Sequence, residues 1–378
     1  MKFVRMKKTF ADILAKEADI LDKKLASKLP EWASVEGLAV PTSLSLEQCS
    51  STPAALYKAE IASEYGAVIW DLTGGLGVDS WAFSRYFSLV HYNELDTALY
   101  SSVASNFERL GLKNVEMSCG DCEMLAGSIS GDVAYLDPAR RSDTGKKVFL
   151  VGDCRPDVKK LLPSLLGNFR IVMVKLSPMA DVSLLAREFE GHLKEIHIVG
   201  LGGECKELLC LLDPEVHGHY KVIVRDLDSG DGFEFLSDEE TASDPPLGED
   251  NFLVEPKAVL MKSGRFDLIA SRFGIRHMDR STHLYLSGHM LETGLVKCFR
   301  IERVLDFGKK GFETVRKEFP YAEVTARNVP MSSEELRKRL GVLPGGEYHI
   351  FACTCGMERH LFVTRKCGGV PDVEGTEV

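Results

Sequence analysis

Short apolar runs, each ending at a polar residue, recur along the first half of the chain. Val68–Asp71 predicts a buried strand of the kind found in parallel sheets covered on both faces, and Leu89–Glu94, Val115–Cys119 and Asp132–Leu136 predict three further strands. The segment Ser80–Phe87, after the first run, is amphipathic enough for a helix. The pattern therefore predicts an open α/β sheet in which strands alternate with helices.

The first run passes into a glycine-rich turn, Thr73-Gly74-Gly75-Leu76-Gly77. Glycines at such a turn let the backbone approach a ligand where a Cβ would clash. A phosphate-binding loop would have a Lys after the glycines, but here Asp71 ends the strand and no Gly-Lys-Ser/Thr follows. The turn is therefore better suited to a ligand that carries a positive charge and hydroxyl groups.

Acidic residues stand at the ends of the next three predicted strands. Glu94 ends the second, Asp121 follows the third after Gly120, and Asp137-Pro138 follows the fourth. Open α/β sheets bind ligands at the carboxyl ends of their strands, and an acid after the second strand can accept both ribose hydroxyls. The four acids predict a nucleoside-binding edge.

This series resembles the class I S-adenosylmethionine-dependent methyltransferases. The resemblance implies a seven-stranded Rossmann-like methyltransferase sheet with an N-terminal helical segment and small C-terminal α+β domains. It implies that Glu94 holds the ribose, Asp121 recognises the adenine amino group, and Asp137 lines the methyl-transfer site. The implied cofactor is S-adenosylmethionine, with the turn and its neighbouring acids as binding residues: Asp71, Thr73, Gly75, Gly77, Glu94 and Asp121. The alternative for this half of the chain is an NAD-binding fold, which shares the glycine turn.

A second element precedes the glycine turn. The string Leu46-Glu47-Gln48, followed by Thr52-Pro53, looks like the Leu-Glu-Gln…Thr-Pro element of many nucleic-acid amino-methyltransferases. That resemblance implies that Gln48 and Thr52 close over the methionine end of the cofactor. Thr52 is predicted to cap a helix over 54–65 with Pro53 at its first position. Lys58, one turn further on, is predicted either to reach the cofactor carboxylate or to be a solvated lysine.

The methyl acceptor is predicted from Asp137-Pro138-Ala139-Arg140. By resemblance, Asp137 and the carbonyl of Pro138 accept the hydrogens of an exocyclic base amino group, and Arg140 stacks on a base or binds a phosphate. The Pro-Pro-aromatic form of the amino-methyltransferases is missing. Uracil-C5 methyltransferases carry Asp-Pro-Pro-Arg but need a cysteine nucleophile, and Lys175-Leu176-Ser177-Pro178 stands at that place.

The remaining chain predicts further elements. An N-terminal amphipathic helix spans 9–29, further strands follow at 170–178, 195–201, 208–212 and 220–225, and an acidic edge hairpin and linker span 226–250. Helices are predicted over 258–273, 309–318 and 332–340, and a strand is predicted over 283–287. Residues 322–337 look like part of the THUMP-like domain attached to some bacterial methyltransferases. The predicted domains are 1–50 (helical segment), 51–245 (methyltransferase), 251–294 (small α/β, ferredoxin-like) and 295–378 (THUMP-like).

Charge and composition limit the function classes. The net charge of −10 argues against indiscriminate nucleic-acid binding, but fourteen Asp/Glu against three Lys/Arg are concentrated in residues 201–250. Residues 1–30, with eight Lys/Arg against four Asp/Glu, and residues 291–366, with fourteen against ten, carry a basic excess. No apolar run is long enough to span a bilayer, and ten scattered cysteines suggest a reducing cytoplasm. Cys353 and Cys355, with His360 and Cys367 nearby, make zinc conceivable, but their spacing is not that of structural zinc sites, so no metal is predicted.

The sequence thus predicts a cytoplasmic methyltransferase with RNA, either tRNA or rRNA, as partner and an exocyclic amino group as acceptor. Two alternatives stay open. One is a methyltransferase of a small molecule or protein with a structural C-terminal domain. The other is a non-catalytic RNA-binding module with a relic cofactor site, although a decayed site would lose such acids first.

Overall fold

The computed structural model describes residues 20–140, 151–216, 218–241 and 250–367. The chain divides into two compact units. Unit 1 is Met1–Ile196 with Glu207–Tyr220, and unit 2 is His197–Lys206 with Lys221–Val378. Of the helix predicted over 9–29, residues 20–28 are helical and residues 9–19 lie outside the described part of the chain.

A large mixed sheet with helices between its strands confirms the predicted α/β fold class. Its order is β11-β10-β8-β9-β7-β4-β1-β2-β3, so the predicted count of seven strands is wrong: the hairpin β10–β11 extends the sheet to nine. The strands are β1 Val68–Asp71, β2 Leu89–Glu94, β3 Val115–Cys119, β4 Gly131–Leu136, β7 Phe169–Leu176, β8 Leu193–Leu201, β9 Glu204–Leu212, β10 Lys221–Asp226 and β11 Gly232–Leu236. A separate short pair is formed by β5 Ala139–Arg140 and β6 Cys154–Arg155.

Parallel pairing brings the predicted polar residues to one edge of unit 1. β1 pairs in parallel with β2 and β4, β2 with β3, and β4 with β7. Ile69, Val90, Val133 and Val172 are fully buried in these strands, because helices cover both faces of a parallel sheet. Besides the helical residues 20–28, the described helices of unit 1 are α1 Pro30–Ala33, α2 Ser43–Gln48, α3 Thr52–Ser63, α4 Val78–Phe83, α5 Thr97–Arg109, α6 Cys122–Leu125, α7 Val158–Asn168 and α8 Val182–Glu188.

Unit 2 contains a seven-stranded sheet in the order β13-β14-β12-β15-β18-β17-β16. Its strands are β12 Phe252–Pro256, β13 Arg276–His277, β14 Tyr285–Ser287, β15 Val296–Asp306, β16 Tyr321–Arg327, β17 Leu343–Cys355 and β18 Glu358–Lys366. Its helices are α9 Ala258–Met261, α10 Phe266–Phe273, α11 Lys309–Glu318 and α12 Ser333–Leu340. One sheet therefore takes strands from both of the segments 251–294 and 295–378.

The single helix predicted over 258–273 is wrong. The chain forms two helices there, α9 and α10, because Gly264 adopts a φ of +70° that interrupts the helical path. The helix predicted over 332–340 begins one residue later, and Ser332 caps it in a capping box with Glu335. Its buried residues Leu336 and Leu340 pack with Phe312 and Val315 of α11 in the core of this part of unit 2.

Candidate functional site

The glycine turn joins β1 to α4 and is held by backbone hydrogen bonds. The amide of Gly74 donates to the carbonyl of Asn93 over 2.8 Å, and the amide of Gly77 donates to Gly74 over 2.8 Å. A Cβ on Gly74 would lie 2.1 Å from the ring of Tyr92. Gly75, in contrast, has a φ of +53°, and a Cβ placed on it would have one atom within 4 Å, the Thr73 carbonyl oxygen at 3.9 Å. The turn is thus packed from behind and open at Gly75.

Glu94, at the end of β2, is fixed to this turn. Its Oε2 accepts the amide of Gly75 and its Oε1 accepts the amide of Asp96, each over 2.8 Å. The hydroxyl of Tyr92 donates to the carbonyl of Gly75 over 2.8 Å. Because a carboxylate oxygen accepts more than one hydrogen bond, the half-buried Glu94 can still accept from a diol.

Asp71, at the end of β1, is buried, with 1% of its surface exposed. Ser80 donates to its Oδ2 over 2.6 Å, and the amide of Thr73 donates to its Oδ1 over 3.3 Å. Burial raises the pKa of Asp71 to about 8, against 3.8 for an ordinary aspartate, although these two donors act in the opposite direction. The carboxyl group therefore carries a proton for much of the time at neutral pH.

Asp137, after β4, is linked to both the glycine turn and β7. Its amide donates to Thr73 Oγ1 over 2.6 Å, and its Oδ2 accepts from Lys175 Nζ over 2.6 Å. Its side chain is 34% exposed, and that of Lys175 is 13% exposed. Pro138 is buried behind it. Arg140 contributes backbone to β5, but its side chain and all of 141–150 lie outside the described part of the chain.

Lys58 lies in a buried ion network on α3. Its ammonium donates to Ser50 Oγ over 2.7 Å and to Glu207 Oε1 over 2.9 Å, and it lies 3.2 Å from Asp79 Oδ1. Ser50 and Tyr135 both donate to Asp79 Oδ2, over 3.0 and 2.8 Å. Burial alone would raise the pKa of Asp79, but the lysines and these donors lower it below the ordinary value. Lys58 is thus neither solvated nor directed at the surface, so it would have to leave these partners to bind a ligand.

Three further predicted residues lie at element ends. Gln48 is exposed at the last position of α2. Thr52 is the first residue of α3 and donates to Glu31 Oε2 over 3.1 Å, so the predicted capping role is wrong by one position: Ser51 is the N-cap. Asp121 is exposed and caps α6 by accepting the amide of Glu123 over 2.9 Å.

The structure therefore gathers Asp71, Thr73, Glu94 and Asp137 around the glycine turn, together with residues that were not predicted from the sequence. Lys175 interrupts the apolar strand β7, and Glu207 precedes the five buried residues that end β9. The sequence signal that could have identified Lys175 and Glu207 is a charged residue within an apolar strand, because burying a charge is costly unless it is paired.

In the described part of the chain, no helix is long and apolar enough to cross a membrane. The same residues contain no group of three or more His, Cys, Asp or Glu side chains that could hold a metal ion. Cys353 and Cys355 lie on β17 and His360 on β18, and the two thiols are free.

Comparison with known proteins identifies both C-terminal segments. Residues 252–293 match a ferredoxin-like domain, and residues 296–366 match a THUMP domain-like family. No curated protein matches the sequence significantly.

Over nearly its full length, the chain matches the crystal structure of a putative methyltransferase from Porphyromonas gingivalis W83. The identity is 30%, the TM-score is 0.85, and the match covers 97% of this chain and 92% of that one. Two smaller proteins match 42% of the chain with a TM-score of 0.31. One is a putative methyltransferase from Streptococcus mutans in complex with SAH (11% identity, 95% of that chain), and the other an rRNA methylase from Streptococcus thermophilus (13% identity, 93% of that chain).

Proposed function

Because this chain belongs to the class I S-adenosylmethionine-dependent methyltransferase family with a C-terminal THUMP-like domain, we propose that it methylates RNA, either tRNA or rRNA. The observation that carries the methyl-transfer part of the proposal is the set of carboxyl groups at one sheet edge. Asp71, Glu94, Asp121 and Asp137 follow four successive parallel strands. That edge is where α/β sheets bind nucleoside ligands.

The residues at this edge fit S-adenosylmethionine. The cofactor carries a sulfonium, which favours carboxylates nearby, and a ribose diol, which needs acceptors. Glu94 supplies acceptors beside the open face of Gly75, and Asp121 is exposed for a donor such as an amino group. The proposed cofactor residues are Gln48, Thr52, Lys58, Asp71, Thr73, Gly75, Gly77, Glu94 and Asp121, with Lys58 acting from its buried network.

When bound, the cofactor supplies an electrophilic methyl group. The task left to the chain is to hold the acceptor in line and to exclude water. We assign this to Asp137, Pro138 and Arg140, with a base exocyclic amino group as the first acceptor. Asp137 is partly exposed, so its carboxyl group can accept the amino hydrogens.

An RNA hydroxyl is the second candidate acceptor, and one contact favours it. The ammonium of Lys175 lies 2.6 Å from Asp137 Oδ2. A fixed cation beside the acceptor site stabilises the negative charge that develops on an alkoxide. The two candidates leave different products, an N-methylated base and a 2′-O-methylated ribose.

The RNA assignment rests on the THUMP-like segment and its basic residues. The last turn of α12 carries three basic residues, Arg337, Lys338 and Arg339, so it is positively charged although the chain as a whole is negatively charged. Lys338 also pairs with Glu334 over 2.7 Å, an exposed contact that RNA phosphates can replace at little cost. We also propose the domain limits 51–245, 251–294 and 295–378, and a cytoplasmic location.

The test is methyl transfer from labelled S-adenosylmethionine to total tRNA and rRNA by the full chain, followed by nucleoside mass spectrometry. We expect one methylated nucleoside, and its mass fragments identify the base or the ribose as the acceptor. Asp137→Ala should retain cofactor affinity and lose turnover. Parental turnover by that variant would exclude Asp137 as the reaction centre.

RNA binding is tested separately on full-length protein. Replacing Arg337, Lys338 and Arg339 by Gln should reduce the salt dependence of RNA binding by about one unit for each phosphate that is no longer bound. The control replaces the exposed Lys206 and the partly exposed Lys221 by Gln. Methylation of a small molecule or protein, with no RNA binding at low salt, would favour a structural role for the C-terminal domain.

A further inference from the structure

Lys175 and Asp137 are brought together by the register of two parallel strands. Leu136 of β4 is the partner of Val174 of β7, so the next residue of each strand emerges at the same edge. The resulting ion pair, 2.6 Å from Nζ to Oδ2, stands at the proposed methyl-transfer site. Lys175 is not among the site residues predicted from the sequence.

The far side of Lys175 faces buried acids rather than solvent. In the antiparallel pairing of β7 with β9, Leu176 is the partner of Leu208, which places Glu207 at the same edge. Glu207 is itself held by Lys58 over 2.9 and 3.1 Å. Burial would lower the pKa of Lys175, but the charges of Asp137, Glu207 and Asp79 outweigh it and raise the pKa above the ordinary value. Lys175 therefore stays charged.

Asp137 is fixed at two points. Thr73 Oγ1 holds its amide over 2.6 Å, and Lys175 holds its Oδ2. The first contact sets the backbone relative to the glycine turn, and the second sets the rotation of the carboxyl group. Together they decide where Oδ1 points.

We propose that Lys175 is a positioning residue for methyl transfer, which turns Oδ1 of Asp137 toward the acceptor group. The inference rests on the proposed function and names a further residue of the same site. It holds for an amino or a hydroxyl acceptor, because each donates a hydrogen to that oxygen.

The first test compares Lys175→Met with Lys175→Arg in the full chain. A charge-assisted hydrogen bond contributes about 1.5–3 kcal/mol, so Lys175→Met should lower kcat about 10- to 100-fold. The KM for S-adenosylmethionine should stay within about twofold, and Lys175→Arg should recover most of kcat because it keeps the charge.

The matched control is Lys194→Met. Lys194 pairs with Asp213 over 2.9 Å and is also partly buried. Asp213 follows Leu212, however, whose partner Val172 lies three positions before Lys175 in β7, away from the site. It should leave kcat at the parental value. An equal loss in both lysine variants would overturn the proposal, since the effect would then be general destabilisation.

A double-mutant cycle tests whether Lys175 acts through Asp137. In an Asp137→Asn background, Lys175→Met should cost less than about threefold, because the group it positions has already been neutralised. If the two losses multiply, Lys175 does not act through Asp137 and the proposal fails.

A measurement without turnover separates this proposal from the proposed function. The carboxyl 13C resonance of Asp137, identified by its absence in Asp137→Asn, should change its chemical shift in Lys175→Met and keep it in Lys194→Met, because Lys175 donates to this carboxyl group and Lys194 pairs with Asp213. If the parent methylates no RNA but the resonance moves in Lys175→Met alone, the proposed substrate is wrong and the contact by which Lys175 holds Asp137 is still supported. An unchanged resonance in Lys175→Met refutes the Lys175 proposal.

Discussion

Replacing Asp71 by Asn should stabilise unit 1 in a pH-dependent way. The pKa of Asp71 is raised by burial to about 8, from the ordinary 3.8. The stability that this group contributes is therefore fully present below about pH 4, and it is lost as the pH rises toward 8. An Asn cannot ionise, and its carbonyl can still accept from Ser80, which donates to Asp71 over 2.6 Å.

The magnitude follows from the size of the pKa shift. Between the ordinary value of 3.8 and pH 7 lie about 3 pH units, and each unit corresponds to about 1.4 kcal/mol. We expect Asp71→Asn to exceed the parent by on the order of 4 kcal/mol at pH 7, and the advantage should shrink toward pH 4.

Tryptophan fluorescence during urea unfolding isolates the relevant unit. The three tryptophans of the chain, Trp32, Trp70 and Trp81, all belong to unit 1. Asp121→Asn is the control, since it changes an exposed aspartate at the same sheet edge and Asn caps a helix about as well. If the advantage of Asp71→Asn is the same at pH 4.5 and pH 7.5, the burial argument is refuted.

Three further variants test the turn and the buried network. Glu94→Ala should weaken cofactor binding by about 1–3 kcal/mol in calorimetry, and an unchanged affinity would remove Glu94 from the site. Gly74→Ala places a Cβ 2.1 Å from the Tyr92 ring, so it should cost about 1–3 kcal/mol of stability, whereas Gly120→Ala, which meets nothing within 4 Å, should cost much less. Lys58→Met leaves two buried carboxylates without their cation and should cost about 3–5 kcal/mol in urea unfolding; a loss below about 1 kcal/mol would contradict that explanation.

The parts of the fold predicted from sequence were those set by local pattern. β1, β2 and β3 have the predicted bounds. β1 and β2 are short, largely apolar runs that end in an acidic residue. The helix Lys309–Glu318 also has its predicted bounds. The break at Gly264 was missed because a single glycine inside an apolar periodicity is compatible with a continuous helix.

The arrangement around Lys58 could not be predicted in the same way. Lys58 and Glu207 are 149 positions apart, and only the folded sheet brings them within hydrogen-bonding distance. The same is true of Lys175 and Asp137, which are 38 positions apart. Local pattern identified the acids as candidates, but their partners depend on strand order and register.

The packing behind the glycine turn affects how relatives of this protein should be compared. Gly74 is required by the ring of Tyr92, and a Cβ on Gly77 would meet Phe107 at 2.7 Å, so both glycines are needed simply to fold the turn. A descendant that had lost its enzymatic activity would still be under selection to keep them. In an evolutionary survey, the side chains at positions 94, 137 and 175 would therefore be better markers of a working enzyme than the glycines.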